Sequence, residues 1–296
     1  MGNNSCIEWI DQYKGILIYL VVLGHCIQNI HINMTPISSV TYYSIYAFHM
    51  PAFFFISSYL LDFDKMSTNG YLIKKAKRLI VPYFAYSIFV ILYKVIGDIE
   101  FSMASESIVK SLIMMNGSIV QNLWFFPAMF ISYVLLYPMR RFQNIKIIIG
   151  ETALLMITSI LMSVYSIKLP LFAEVGFLGA FFMMTGYIAK IWYDKVRKYK
   201  TIIFAVAIIS LALSLYSRNL VAFYNLDLGK TSVFFLTSIS CSLSLLMILK
   251  EIHIKLPLIG EWGVFRANLW NSLGVRFSWS STSRANRLWS TCSRPN

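Results

Sequence analysis

Apolar residues fall into long runs along this chain, and polar residues gather in short segments between them. A helix needs about 17 to 25 mainly apolar residues to cross a bilayer. Eight runs have or approach that length, and they predict an all-α polytopic transmembrane bundle with spans at Lys14–Ile30, Thr41–Leu61, Leu79–Ile96, Leu123–Pro138, Ile147–Val164, Leu171–Ala189, Thr201–Tyr216 and Thr231–Leu249. The shorter, more polar segment Ser102–Met115 favours a position at the membrane surface.

Composition supports a membrane protein. Hydrophobic residues make up 57% of the chain and charged residues 13%, whereas soluble domains have about 25% charged residues. The mean hydropathy is +0.64. Glu8 and Asp11 precede the first apolar run, which lacks a small-residue cleavage site, so we expect the first helix to stay in the mature protein.

Basic residues predict the orientation of the bundle. Lys and Arg are concentrated in alternate loops and at the start of the first span, and short cytoplasmic loops collect these residues. The pattern predicts a protein of the inner (cell) membrane with a cytoplasmic amino terminus. Because this topology accounts for the formal net charge of +13, nucleic acid is not an expected partner. The four cysteines form no CxxC pair, so neither a metal site nor a disulfide framework is predicted.

The end of the chain differs in composition from the rest. Residues 264–296 contain five arginines and three tryptophans but no Lys, Ile, Asp or Glu. The change is typical of a shifted reading frame or a fusion scar. We therefore divide the chain into a transmembrane domain, 1–263, and an atypical tail, 264–296, and hypothesise that the natural protein is longer and interrupted near Gly263. The alternative interpretation is an authentic membrane-surface tail.

Two ionisable residues mark the first span. Ten residues lie between Lys14 and His25, which places both on nearly one helix face, about 16 Å apart at ~1.5 Å per residue. Asp11 lies one turn before Lys14 and can pair with it, and Gln28 lies one turn beyond His25. Ionisable residues within spans are rare and commonly functional. The alternative is that Lys14 reaches the cytoplasmic surface and His25 only bonds a neighbouring helix.

A second polar position lies in an aromatic-rich run. His49 is followed by Pro51 within the second predicted span, at a predicted depth similar to that of His25. Pro51 removes a backbone donor and loosens the helix there, which makes room for a ligand or a neighbouring side chain. Two imidazoles at one level can share a site. A role for His49 in helix packing alone is the competing interpretation.

These residues resemble the motifs of a known family. Trp9-Ile10-Asp11 through Lys14-Gly15, Leu23-Gly24-His25, and Phe48-His49-Met50-Pro51 are similar to the acyltransferase-3 family of membrane acetyltransferases, especially its fucose O-acetylase-like branch. Later segments agree with it, and the resemblance runs from about Glu8 to Gly263. It implies a bundle of about ten helices and an essential histidine in the first of them. Ser58 stands where the family usually has Gly, which predicts altered packing, and the family's last helices are expected after Gly260.

The resemblance implies an O-acetyltransferase. Such enzymes move an acetyl group from cytoplasmic acetyl-CoA, a co-substrate, to a sugar hydroxyl of a surface polysaccharide such as an O-antigen or its lipid-linked precursor. A sugar hydroxyl needs a base with a pKa near neutrality, so His25 is the predicted general base or a transient acetyl carrier. We expect burial to lower the pKa of its imidazole and keep it neutral. His49 and Lys14 complete the predicted catalytic set.

Basic residues near the cytoplasmic face are candidates for binding acetyl-CoA. Lys14, held by Asp11, is expected to meet the phosphates or the pantetheine arm. The nucleotide end is assigned to Lys74, Lys75, Lys77 and Arg78. Trp124 offers a ring face for a pyranose, although anchoring at the membrane interface is its more usual role. The rival functions are a polysaccharide or small-solute transporter, for which no repeat halves are found, and an inactive truncated acetyltransferase.

Overall fold

The computed structural model describes residues 8–29, 35–59, 61, 70–96, 123–139 and 144–252. The described part is helical, which confirms the all-α class. Two 3₁₀ turns, Pro170–Phe172 and Phe223–Asn225, interrupt the helices. The helices are α1 (Glu8–Asn29), α2 (Pro36–Tyr46), α3 (His49–Tyr59), α4 (Tyr71–Ile96), α5 (Phe125–Met139), α6 (Ile145–Val164), α7 (Ala173–Ile191), α8 (Tyr193–Arg197), α9 (Lys200–Tyr216) and α10 (Thr231–Ile252).

Four described segments are long and apolar enough to cross a membrane. They are Trp9–Gln28, Ile145–Val164, Pro170–Ile191 and Thr231–Glu251. The apolar helices α5 and α9 are shorter. The count of eight spans therefore stays a prediction. The predicted surface segment Ser102–Met115 and the tail 264–296 lie outside the described residues.

The second predicted span, Thr41–Leu61, is wrong as a single helix. The structure ends α2 at Tyr46 and begins α3 at His49. Pro51 has no N–H to donate to the carbonyl of Ala47, and its ring crowds that turn. The freed carbonyl is not left unpaired, because the Ser238 hydroxyl of α10 donates to it at 2.7 Å. The break is thus stabilised by a neighbouring helix, as membrane proteins require where a proline frees a backbone group.

Helix α7 forms the centre of the described bundle and packs against α3, α5 and α6. Glycines allow it to approach α3 closely. A Cβ on Gly179 would overlap the Phe54 ring, and one on Gly186 would overlap the Phe55 carbonyl and the Ser58 hydroxyl. Ser58 is fully buried and donates to the Phe55 carbonyl at 2.6 Å. Gly186 therefore provides the space that the Ser58 side chain occupies.

The bundle has two ends, which we name by the residues of α1. At the Lys14 end the rings of Trp9 and Tyr59 lie 5.0 Å apart, and Lys190 Nζ donates to the Leu61 carbonyl at 2.9 Å. The His25 end holds the turn between α9 and α10. Because the helices alternate in direction, basic residues separate by end. The Lys14 end carries Lys14, Lys74, Lys75, Lys77, Arg78, Lys146, Lys190, Lys195, Arg197, Lys198, Lys200 and Lys250, and the other end carries Lys94, Lys168, Arg218 and Lys230.

Candidate active site

Helix α1 positions Lys14 and His25 beside its buried stripe. Ile10, Tyr13 and Leu17 are buried, and the Tyr13 hydroxyl donates to the Ser242 carbonyl at 3.1 Å. These contacts fix the rotation of α1 about its axis. Lys14 directly follows Tyr13 and is half-buried, whereas His25 is exposed. The expected burial of His25 is therefore wrong, because the stripe that packs against the bundle passes one residue before it, at Gly24.

His49 is the buried histidine of the described structure, with 5% of its surface exposed. Its Nδ1 lies 2.7 Å from the carbonyl oxygen of Ile45. Because a carbonyl oxygen only accepts hydrogen bonds, Nδ1 must carry the proton. In the neutral imidazole this contact selects one tautomer, with the lone pair on Nε2. This arrangement depends on the break between α2 and α3, which places the His49 side chain beside the last turn of α2.

Tyr46 joins His49 to α1. Its ring packs edge-on against the His49 imidazole, with centroids 5.0 Å apart, and its hydroxyl donates to Gln28 Oε1 at 3.1 Å. A Cβ on Gly24 would lie 3.1 Å from Tyr46 Cε2, so α1 approaches α2 closely here. His25 and His49 are near enough to interact electrostatically. The structure therefore brings the two predicted histidines together.

Sequence reasoning missed Tyr46 as part of this group. Tyr42, Tyr46 and His49 recur at intervals of four and three residues, which is the spacing of one helix face. That signal could have identified the tyrosines. It would have been ambiguous, because aromatic residues are frequent throughout the chain.

An ordered loop covers the His25 end of the bundle. Phe223 is 4% exposed and packs against Phe54 and Trp124, with centroids 5.7 and 5.6 Å away. Two side chains hold the backbone of this turn. Ser163 Oγ donates to the Leu226 carbonyl at 2.8 Å, and Lys168 Nζ donates to the Asn225 carbonyl at 2.6 Å. Trp124, the predicted sugar contact, is therefore half-buried at the same end as His25.

Cations meet at the opposite end of α1. Lys75 Nζ lies 3.8 Å from the centroid of the Tyr133 ring and 5.4 Å from that of Tyr71. Lys75 precedes the predicted span Leu79–Ile96. Burial, together with the smaller effects of the Arg78 and Lys14 charges, lowers the pKa of Lys75 to about 8. Three of the cations predicted to bind acetyl-CoA, Lys14, Lys75 and Arg78, thus lie near enough to interact electrostatically.

The other predicted cofactor residues have different surroundings. Lys74 and Lys77 are exposed on α4, and Asp11 is exposed on α1. The pair between Asp11 and Lys14 stays a prediction. No group of three His, Cys, Asp or Glu residues that could hold a metal occurs within the described ranges.

A comparison with known protein families identifies the family of this chain. A family model described as an acyltransferase domain matches residues 7–271, which include both histidines, the Lys14 position and the cations of α4. The chain belongs to the acyltransferase-3 family. The family resemblance seen in the sequence is confirmed.

Curated relatives match this chain over part of its length. It is 31% identical over 159 residues to the nodulation protein NolL of Mesorhizobium japonicum, a match that covers 52% of this chain and 41% of the relative. It is 31% identical over 138 residues to NolL of Sinorhizobium fredii, which covers 45% of this chain and 36% of the relative. The matches thus span less than half the length of these relatives. No solved structure matches this chain.

Proposed function

We propose that this acyltransferase is an inner-membrane O-acetyltransferase that moves an acetyl group from cytoplasmic acetyl-CoA to a sugar hydroxyl of a surface polysaccharide or its lipid-linked precursor. The observation that carries the proposal is the arrangement along α1. Lys14 with Lys75 and Arg78 lies at one end, and His25 with His49 lies at the other. A polyanionic donor needs a cationic site, and a hydroxyl acceptor needs a base. The long pantetheine arm of the donor can carry the acetyl group from the cationic end of α1 to the histidine end.

The cations would hold the CoA part of the donor. CoA carries several phosphate charges, and clustered Lys and Arg side chains bind phosphate through charge-assisted hydrogen bonds. The phosphates would be bound by three described cations, Lys75, Arg78 and Lys14. The exposed Lys74 and Lys77 extend the positive surface. Asp11 would hold Lys14 in place. The pantetheine arm would then run along α1 toward His25.

The histidines would activate the acceptor. His25 takes the proton from the sugar hydroxyl while the sugar oxygen forms a bond to the acetyl carbonyl carbon. The tetrahedral intermediate then collapses, the carbon–sulfur bond breaks, and the leaving CoA thiolate takes up the proton from His25. The neutral His49, with its Nε2 lone pair, supplies a second acceptor near His25 that can orient the hydroxyl. Trp124 would support the pyranose through its ring face.

The lowered pKa of Lys75 leads to a pH-dependent affinity for acetyl-CoA. Its charge is present below pH 8 and is lost as the pH rises through about 8. Because the charged form attracts phosphate, KM for acetyl-CoA is expected to be flat below that pH and to rise severalfold by pH 9. Lys75→Arg should keep KM flat, since the pKa of arginine exceeds about 12. Steady-state kinetics between pH 6.5 and 9.5 measure the effect.

Lys74→Arg is the matched control for the pH experiment. Lys74 is the exposed neighbour on the same helix, so this variant should show the same rise in KM as the wild type. If Lys75→Arg also shows the wild-type rise, Lys75 does not hold the donor phosphates.

The proposed function itself is tested by following the acetyl group. Membranes containing the chain are incubated with acetyl-labelled CoA, either with the expression host's own surface glycans or with octyl α-L-fucopyranoside as an added acceptor. Label is expected in an alkali-labile ester on the sugar, well above membranes that lack the protein. Well-expressed protein that transfers no label to either acceptor would contradict the proposal.

A further inference from the structure

We propose that the side-chain amide of Gln28 donates a hydrogen bond to the oxyanion formed during acetyl transfer, and that Tyr46 and Tyr42 hold this amide in position. The inference rests on the proposed function and assigns to that site a residue for stabilising its transition state. Attack on a thioester carbonyl places negative charge on the carbonyl oxygen. Acyl-transfer sites commonly stabilise this charge with fixed hydrogen-bond donors.

The Tyr46 hydroxyl holds one side of the Gln28 amide. A tyrosine hydroxyl has one proton to donate, and that of Tyr46 goes to Gln28 Oε1 at 3.1 Å. Tyr42 lies one turn earlier on α2, and its ring packs against that of Tyr46. The amide oxygen of Gln28 is therefore held by Tyr46, and Tyr46 is supported by the Tyr42 ring.

Ring packing holds Tyr46 in place. The ring centroids of Tyr42 and Tyr46 lie 4.2 Å apart, and the His49 imidazole lies 5.0 Å from the Tyr46 ring. Gly24 on α1 approaches the same ring, because a Cβ there would lie 3.1 Å from Tyr46 Cε2. Tyr46 is thus in contact with three neighbours. Its hydroxyl, and with it Gln28 Oε1, has a defined place.

The fixed oxygen orients the rest of the Gln28 amide. An amide group is planar, so holding Oε1 directs the two N–H donors of Nε2 to the opposite side. Gln28 lies one turn beyond His25 on α1, and side chains at this spacing are about 5–6 Å apart at Cβ. The proposed base and the donor amide are therefore neighbours. Gln28 itself is half-buried.

A purely structural role for Gln28 explains less. The contact between Gly24 and Tyr46 already brings α1 against α2, so packing there does not depend on an amide. A side chain whose only task was to accept the Tyr46 proton would need an oxygen alone. The amide supplies two additional donors next to the histidine that is proposed to move the proton.

Three variants test the inference with acetyl-labelled CoA and octyl α-L-fucopyranoside. Gln28→Glu keeps an acceptor for Tyr46 but removes the amide donors, and Gln28→Met keeps the approximate shape and removes every polar atom. Both are expected to lower kcat by about 10²- to 10³-fold with KM for acetyl-CoA unchanged. Tyr46→Phe keeps the ring and removes the hydroxyl, and it should lower kcat by a smaller factor. Tyr19→Phe, at an exposed tyrosine on α1, is the control and should match the wild type.

The double variant distinguishes positioning from a general loss of structure. If Tyr46 acts through Gln28, adding Tyr46→Phe to Gln28→Met should cause no further loss of kcat, whereas independent effects would multiply. The inference is overturned if Gln28→Met retains kcat within threefold of the wild type, or if the two losses multiply. Wild-type protein that transfers no label would overturn the proposed function instead, so the two failures are distinguishable.

Discussion

His25→Ala is expected to reduce acetyl transfer by about 10²- to 10⁴-fold, the range that general acid–base catalysis contributes. The variant removes the group that accepts the hydroxyl proton and later returns it to the CoA thiolate. Because His25 is exposed and makes no core contact that α1 needs for packing, expression and thermal stability should not change. Transfer of labelled acetyl to octyl α-L-fucopyranoside measures the effect, together with the amount of folded protein in the membrane.

Neighbouring positions on α1 provide the controls. Val22 is 56% exposed and lies three residues before His25, so Val22→Ala should retain wild-type transfer and show that the outcome is specific to the imidazole. His49→Gln adds a second comparison, since an amide can still donate to the Ile45 carbonyl but supplies no base. Near-wild-type transfer by His25→Ala would remove His25 from the mechanism and leave His49 as the candidate base.

Gly186→Val should prevent stable folding of the bundle. A Cβ at this position would overlap both the carbonyl of Phe55 and the hydroxyl of Ser58. Backbone atoms cannot rotate away as a flexible side chain can, so α7 and α3 would have to separate. Overpacking of a core commonly costs about 1–3 kcal/mol and occasionally more, and a clash with backbone belongs to the upper part of that range. Thermal unfolding in detergent and the yield of monodisperse protein measure the loss.

Gly150 offers the matched control on α6. A Cβ there meets nothing within 4 Å, so Gly150→Val should fold as well as the wild type. Ser58→Ala changes the same interface from the α3 side. It should be tolerated, because it only removes a hydroxyl and adds no atom to the contact between α3 and α7. Equal stability of Gly186→Val and Gly150→Val would contradict the close approach of α7 to α3.

Only the tertiary structure shows why His49 and Tyr46 can act together. Pro51 predicts a weakened helix, but the position of the break depends on Ser238, which lies 191 residues from Ala47 in sequence and bonds its carbonyl. The pKa of Lys75 likewise depends on tertiary contacts. Lys75 packs against the Tyr71 and Tyr133 rings and lies near the charge of Lys14 on α1. Local patterns do not contain such distant partners.

The sequence by itself determined the all-α class of the protein and supplied the candidate residues for its chemistry. Apolar run lengths require helices in a membrane, because backbone groups there must bond within their own segment, and the spacing of Lys14 and His25 sets them on one helix face. These are local properties of the chain. Contacts between distant segments decide which side of α1 packs against the bundle and which histidine is buried. They also decide what orients Gln28. These features are therefore visible only in the folded bundle.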